Sequence, residues 1–161
     1  MIVAWTGHRP DLFKDPDQAR ATVDAVAREF VEQKAVQFLV GGQRGVDTWA
    51  ALAAIDLAVP FTVILPFNVG EFTCDWPADG DDAAVLRYTL SLAREMRIAN
   101  GSAERNRDLA TGADLLVAVW AGVIGGGTEQ TMRLALEAGT PIREIRLDPS
   151  ATADSALGQG R

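Results

Sequence analysis

The stretch "VQFLVGGQRGVDTWAALAA", residues 36–54, passes from a short apolar run through two glycines into an alanine-rich helix with Asp47 in its first turn. A buried strand that leaves through glycine and enters a helix is the repeating unit of a parallel sheet. The same order recurs on both sides of it. "IVAW" (2–5) reads as a strand, and residues 17–33 carry Ala21, Val23, Val26, Ala27, Phe30 and Val31 near helical spacing. After the helix at 46–57, "FTVIL" (61–65) is a third strand, closed by Pro66, and residues 67–80, rich in Gly, Pro and Asp, form a loop. A helix over 81–95, a short strand at "MRIA" (96–99) and a helix over 102–111 precede "LLVAVW" (115–120), another buried strand. A helix over 129–138, stopped by Gly139, leads to the half-exposed strand "IREIRL" (142–147). This alternation predicts an α/β, Rossmann-like fold: one domain over residues 1–148, with a mostly parallel sheet and helices on both faces. The small polar tail, 149–161, is expected to be disordered.

At 161 residues the chain suits one domain. Its apolar stretches are broken by glycines and too short to span a bilayer, so no membrane partner is expected. "MIVAWTG" runs straight into a strand with no basic leader, one cysteine excludes an internal disulfide, and one histidine excludes the usual Cys/His zinc clusters. No metal and no cofactor are called for, and a cytoplasmic location follows by default. The net charge of −7 and the cluster Glu71, Asp75, Asp79, Asp81 and Asp82 disfavour a nucleic-acid partner held by a basic face. A small anionic ligand is not excluded, because a pocket needs only a few donors.

In doubly wound sheets ligands bind at the carboxyl ends of the strands. The segments leaving those ends here are "TGHRP", "GGQRGVD", "PFN" and "AGVIGGGTE". In the first, Gly7 permits close backbone approach while Thr6, His8 and Arg9 supply donors; the bland alternative is a solvated turn. His8 has a pKa range suited to proton transfer, although a lone loop histidine is more often a hydrogen-bonding group. In the second, Gly41 and Gly42 allow positive φ, Gln43 follows them, and Asp47 either caps the helix or binds ribose hydroxyls. Trp49 reads as core rather than as a stacking platform. In the fourth, Gly125, Gly126 and Gly127 are costly in chain entropy for a mere turn. Thr128 caps the next helix, whose N-terminus offers N–H groups to a phosphate. Arg105 and Asn106 open a helix beside it, and Arg105 suits bidentate phosphate binding. The spacing is neither G-x-x-x-x-G-K-[ST] nor G-x-G-x-x-G, so the P-loop and the ordinary dinucleotide fingerprint are both absent.

With these stretches together, "TGHRP", "GGQRGVDTWAALAA", "ILPF" and "RN…ADLLVAVWAGVIGGGTEQT", the chain over residues 2–147 resembles the SLOG superfamily. That grouping includes DprA-type DNA-processing proteins and LOG-type nucleoside-monophosphate phosphoribohydrolases; the match is to its small stand-alone bacterial branch. The resemblance implies a nucleotide-related ligand, AMP- or ADP-ribose-like, with phosphate on the Gly125–Thr128 loop and the rest over Gly41, Gly42, Gln43 and the Thr6–Arg9 turn, with Pro66 and Asn106 nearby. It also implies homo-oligomers, dimer or higher, through the apolar faces of helices 81–95 and 103–111. LOG-type enzymes cleave an N-glycosidic bond with a glutamate and an arginine, for which Glu129 and Arg105 are the candidates. The match departs there: no proline precedes Gly125, and the acid stands one residue after Thr128 rather than two or three. A neighbouring helical position points about 100° away. Binding or sensing of a nucleotide therefore ranks ahead of phosphoribohydrolase activity, and a DNA-processing role ranks last. Phe67, Phe72 and Trp76 in the acidic loop are expected either as a lid over a base or as a contact to a second subunit.

Overall fold

The computed structural model describes residues 1–34 and 37–153. Val36 of the expected second strand, and the tail beyond residue 153, lie outside the described residues. The chain order is β1 (Ile2–Gly7), α1 (Pro16–Glu32), β2 (Gln37–Val40), α2 (Val46–Asp56), β3 (Phe61–Leu65), α3 (Val69–Phe72), α4 (Asp82–Leu92), β4 (Glu95–Ile98), α5 (Ser102–Thr111), β5 (Leu115–Trp120), α6 (Gly127–Ala138) and β6 (Ile142–Arg146). The strands form one six-stranded sheet in the order β4-β3-β2-β1-β5-β6. Every neighbouring pair is parallel, which makes this an α/β Rossmann-like fold.

Alternation along each strand supplies two cores. Val3 and Trp5 of β1 face α1, α2 and α4, while Ala4 between them faces α5 and α6 with Leu39, Ile64 and Leu116. Trp5 anchors the first core, fully buried and edge-on to Phe38 (5.3 Å) and Phe30 (6.2 Å). From β1 the chain steps outward through β2, β3 and β4, then returns to place β5 on β1's other side. The strand order therefore reverses between β1 and β5, and a crevice opens beyond their carboxyl ends.

Three regions differ from the sequence-based expectations. Helix α4 stops at Leu92, because Arg94 N–H donates to Phe61 O (2.9 Å) and Glu95 already belongs to β4. The edge of β3 offers backbone partners that outweigh a further helical turn. Second, the 67–80 loop holds the single-turn α3, where Asn68 Oδ1 accepts from Glu71 N–H (2.9 Å). Phe72 and Trp76 are no lid: both join the first core, edge-on at 5.4 Å, with the Arg44 guanidinium 5.6 Å above the Trp76 ring. Only Phe67 of the three is exposed. Third, the described part of the tail, residues 149–153, contacts the domain. Pro149 bridges to Phe13, Ser150 N–H donates to Leu12 O (3.0 Å), and Ala153 is fully buried. Among the described residues no helix is long and apolar enough to cross a membrane.

Candidate functional site

The reversal of strand order leaves a cavity of about 550 Å³, within the range of small-ligand sites. Its floor is the end of β1, with Thr6, Gly7, His8 and Arg9. One wall carries Gln43 and Asp47, then Arg105 and Asn106. The opposite wall is the segment from Val123 to Thr128. Of the sixteen residues expected at the site, twelve line this space, and Gly41, Gly42, Pro66 and Glu129 stand outside it.

The two glycine-rich turns are built differently. In "GGQRG" the glycines answer to the fold. A Cβ on Gly41 would lie 2.7 Å from Arg105 Nη1, and one on Gly42 (φ +77°) 2.5 Å from Leu65 Cδ2. Gly45, which no sequence argument singled out, has φ +86° and would put a Cβ 2.3 Å from His8 O. It is the residue that starts α2, where Val46 N–H donates to His8 O (3.3 Å) and Thr48 N–H to Gln43 O (3.2 Å). Carbonyls of the chain itself thus close this helix start. Pro66 is likewise occupied, its carbonyl accepting from Gly101 N–H (3.0 Å).

The turn before α6 is open. A Cβ on Gly125 or Gly126 would meet nothing within 4 Å, and on Gly127 only Asn106 Nδ2 at 3.6 Å. Gly125 needs its left-handed φ of +82°. Gly126 is extended (φ −105°, ψ −174°), a conformation open to any residue, so the fold does not require glycine there. The first N–H groups of a helix have no partner within it. Among the described residues, none accepts from the N–H groups of Gly127, Thr128 or Glu129. The Glu129 carboxylate accepts from Gly125 N–H instead, bracing the turn from outside the cavity. That contact ties the first turn of α6 to Gly125, the residue ahead of its N-cap Gly126, so Glu129 braces the turn.

His8 is buried and its pKa falls to about 4, first through burial, then through the Arg9 charge, with Asp11 opposing. It is therefore neutral at pH 7. Its Nε2 accepts from Val123 N–H (3.3 Å), which leaves the ring proton on Nδ1, 3.4 Å from Thr128 Oγ1. Thr128 then keeps its own proton to donate into the cavity it lines. His8 is thus a neutral imidazole at pH 7 that links Val123 to Thr128.

The other end of the site is ionic. Arg105 is buried, donating from Nη1 to Gly41 O (2.5 Å) and from Nε to Asn106 Oδ1 (2.8 Å). Asn106 in turn donates to Gln130 Oε1 (2.8 Å), tying α5 to α6. Asp47 Oδ2 accepts from Gln43 N–H (3.2 Å), while buried Oδ1 has no hydrogen-bond partner. Burial raises the Asp47 pKa to about 6, against the pull of Arg105 and the Gln43 bond. Asp47 thus braces the loop with one oxygen, while the other is buried without a hydrogen-bond partner. Among the described residues no three His, Cys, Asp or Glu side chains converge to hold a metal.

Sequence reasoning missed the apolar rim of Leu12, Leu109, Val123 and Ile124, and missed Thr152 from the tail. Ile124, 57% exposed, stood in plain view inside "GVIGGG". Thr152 had no signal, because its place depends on the Phe13–Pro149 bridge.

No protein-family model and no curated sequence matches the chain. Solved structures do. DNA processing protein A from Helicobacter pylori, described with a single-stranded DNA binding mode, is 21% identical, with a TM-score of 0.64 over 99% of this chain and 73% of that one. The Moco carrier protein from Chlamydomonas reinhardtii is 20% identical, with a TM-score of 0.63 over 98% of this chain and 82% of that one. DprA from Streptococcus pneumoniae is 17% identical at a TM-score of 0.66, and the 98% of this chain that aligns spans only 56% of it. These likenesses correct one expectation. Net negative charge had disfavoured a nucleic-acid partner, yet a protein of this fold binds single-stranded DNA. The reason is physical: −7 is a sum over the whole chain, whereas a strand is held by local donors such as an open helix start. By its fold, this chain is an α/β Rossmann-like domain, similar to those of DNA processing protein A and the Moco carrier protein.

Proposed function

We propose that this domain binds the phosphate-bearing unit of a nucleotide, with the phosphate on the open start of α6. The observation that carries the reading is the turn at residues 125–127, exposed glycines with room for a ligand and unpaired N–H groups at the mouth of the cavity. Thr128 adds a hydroxyl donor. The apolar rim of Val123 and Ile124 suits a base. Binding is favoured over glycosidic hydrolysis because the Glu129 carboxylate is held by Gly125 N–H. The same phosphate chemistry comes from two sources, a free nucleotide such as AMP or ADP-ribose, or one unit of a single-stranded nucleic acid.

The experiment is an incubation with AMP, ADP-ribose and a short oligo-dT in separate arms, read by mass spectrometry for retained ligand and free base. Retention of intact AMP or ADP-ribose, lost in Gly126→Val, is expected. Retention of oligo-dT alone assigns the site to a nucleic-acid strand. Adenine release that disappears in Glu129→Ala would overturn the binding reading in favour of a phosphoribohydrolase.

A further inference from the structure

The sheet has two edges, and only one is protected. On β6 the charged side chains are engaged by their own chain. Arg143 pairs with Glu29 at 2.7 Å, Glu144 accepts from Trp120 Nε1–H at 2.8 Å, and Arg146 lies 6.0 Å from the Trp120 ring. On β4 all four residues are exposed, and the strand contains no proline. Such an edge is a template for another strand. Apolar surface gathers there too. Of the eight large apolar side chains exposed among the described residues, four are Tyr88 and Leu92 of α4 and Met96 and Ile98 of β4.

Register divides the faces. Met96 and Ile98 align with Val63 and Leu65 of β3, which face the core beneath α4. Glu95 and Arg97 therefore project from the opposite face, where they pair at 3.0 Å. Ala99 N–H donates to Leu65 O (2.8 Å), and Phe38 N–H of β2 donates to Pro60 O, so the odd-numbered residues of β3 turn their backbone groups toward β4. By the alternation of a parallel ladder, Glu95 and Arg97 then turn their backbone groups toward β3, while Met96 and Ile98 turn theirs outward.

We propose that β4 pairs antiparallel with β4 of a second copy, about a two-fold axis through Met96, so that two sheets continue into one. In that register Glu95 stands opposite the second copy's Arg97, and Arg97 opposite its Glu95. Their backbone groups are engaged by β3, so they form the close, non-hydrogen-bonded pairs, with the side chains nearest one another. The two Met96 residues, whose backbone groups point outward, form the hydrogen-bonded pair at the axis. An axis through Glu95 or through Arg97 would instead set each charge against itself, which is unfavourable. The sequence Glu95-Met96-Arg97 is thus complementary to its own antiparallel copy, as a two-fold interface requires. Tyr88 and Leu92 extend the contact on the Met96 side. This places self-association on the sheet edge, with α4 flanking it and α5 outside it.

Sedimentation velocity at rising micromolar concentrations tests the pairing. The wild-type chain is expected to reach twice its 17.2 kDa mass. Arg97→Glu sets like charges opposite at two symmetric places and should weaken the dimer about tenfold or more. The exchange Glu95→Arg with Arg97→Glu should restore it, since the register is again complementary. Both side chains are exposed, and unchanged circular dichroism would show that the variants fold. A monomer at every concentration overturns the proposal, as does a dimer indifferent to Arg97→Glu or a double exchange that fails to restore it.

Discussion

Two glycine-rich turns leave this sheet at its carboxyl edge, and they look alike in the sequence. The turn at 41–45 is spent on the protein itself. Its glycines make room for Arg105, Leu65 and His8 O, and its helix start is closed by the carbonyls of His8 and Gln43. The turn at 125–127 is left open, with no side chain or backbone crowding Gly125 or Gly126 and no acceptor at the helix start. Glycine can therefore mean that the fold needs space or that a ligand does. Only the neighbours of the missing Cβ decide which.

That contrast is broken most forcefully at Gly45. Alanine there must adopt φ +86° with its Cβ 2.3 Å from His8 O, so Gly45→Ala should cost about 3 kcal/mol. Urea denaturation measures this; a loss no larger than that of a surface substitution would mean that the first turn is not structural. Gly126→Val should do the reverse. Its backbone is extended and its surroundings are empty, so stability should hold within about 0.5 kcal/mol. Affinity for AMP should fall by about 2 kcal/mol, through a blocked approach to the helix start. Unaltered affinity by calorimetry would remove the ligand reading of the second turn.

Asp47 sharpens the contrast by pH. Its folded pKa of about 6 lies above the ordinary 3.8. The unfolded chain therefore gives up this proton at lower pH than the folded one. Stability is highest below the unfolded value and is lost as pH rises from about 4 to about 6. Asp47→Asn should accordingly be more stable than wild type by about 1–2 kcal/mol above pH 6. The advantage should vanish near pH 4. Thermal melts of the pair across that range would refute the account if the difference did not change with pH. His8 titrates in the opposite sense, since its folded pKa of about 4 lies below 6.5 and its contribution is lost as pH falls through that window. Comparing each variant with wild type separates the two groups. The smallest effect is expected at Glu129. Glu129→Gln keeps an acceptor for Gly125 N–H and should cost no more than about 0.5 kcal/mol, whereas Glu129→Ala should cost about 1 kcal/mol. Equal melting temperatures for the two variants would argue against the bracing role.

The fold was legible because its four central strands, β1, β2, β3 and β5, are buried on both faces. "FTVIL" and "LLVAVW" are continuous apolar runs, and each is followed by a turn and a helix with its own punctuation. The carboxyl-edge rule then led to Thr6, His8, Asp47, Asn106 and Thr128, all of which border one cavity. What stayed hidden depends on contacts remote in sequence. Phe72 and Trp76 sit among acidic residues, and their burial follows from packing against Arg44 and the first core. Thr152 reaches the cavity only because Pro149 bridges to Phe13. Net charge misled for a related reason, since a sum over the chain says nothing about the donors of one helix start.

The most direct test is a nitrogen–proton correlation spectrum of the labelled protein titrated with AMP and, separately, with inorganic phosphate. If the second turn is the cradle, the amide signals of Gly126, Gly127 and Thr128 should move most in both titrations, while Gly42 and Gly45 stay nearly still. Shifts centred on residues 41–45, with the amides at 126–128 unmoved, would contradict the assignment of the open turn as the ligand site.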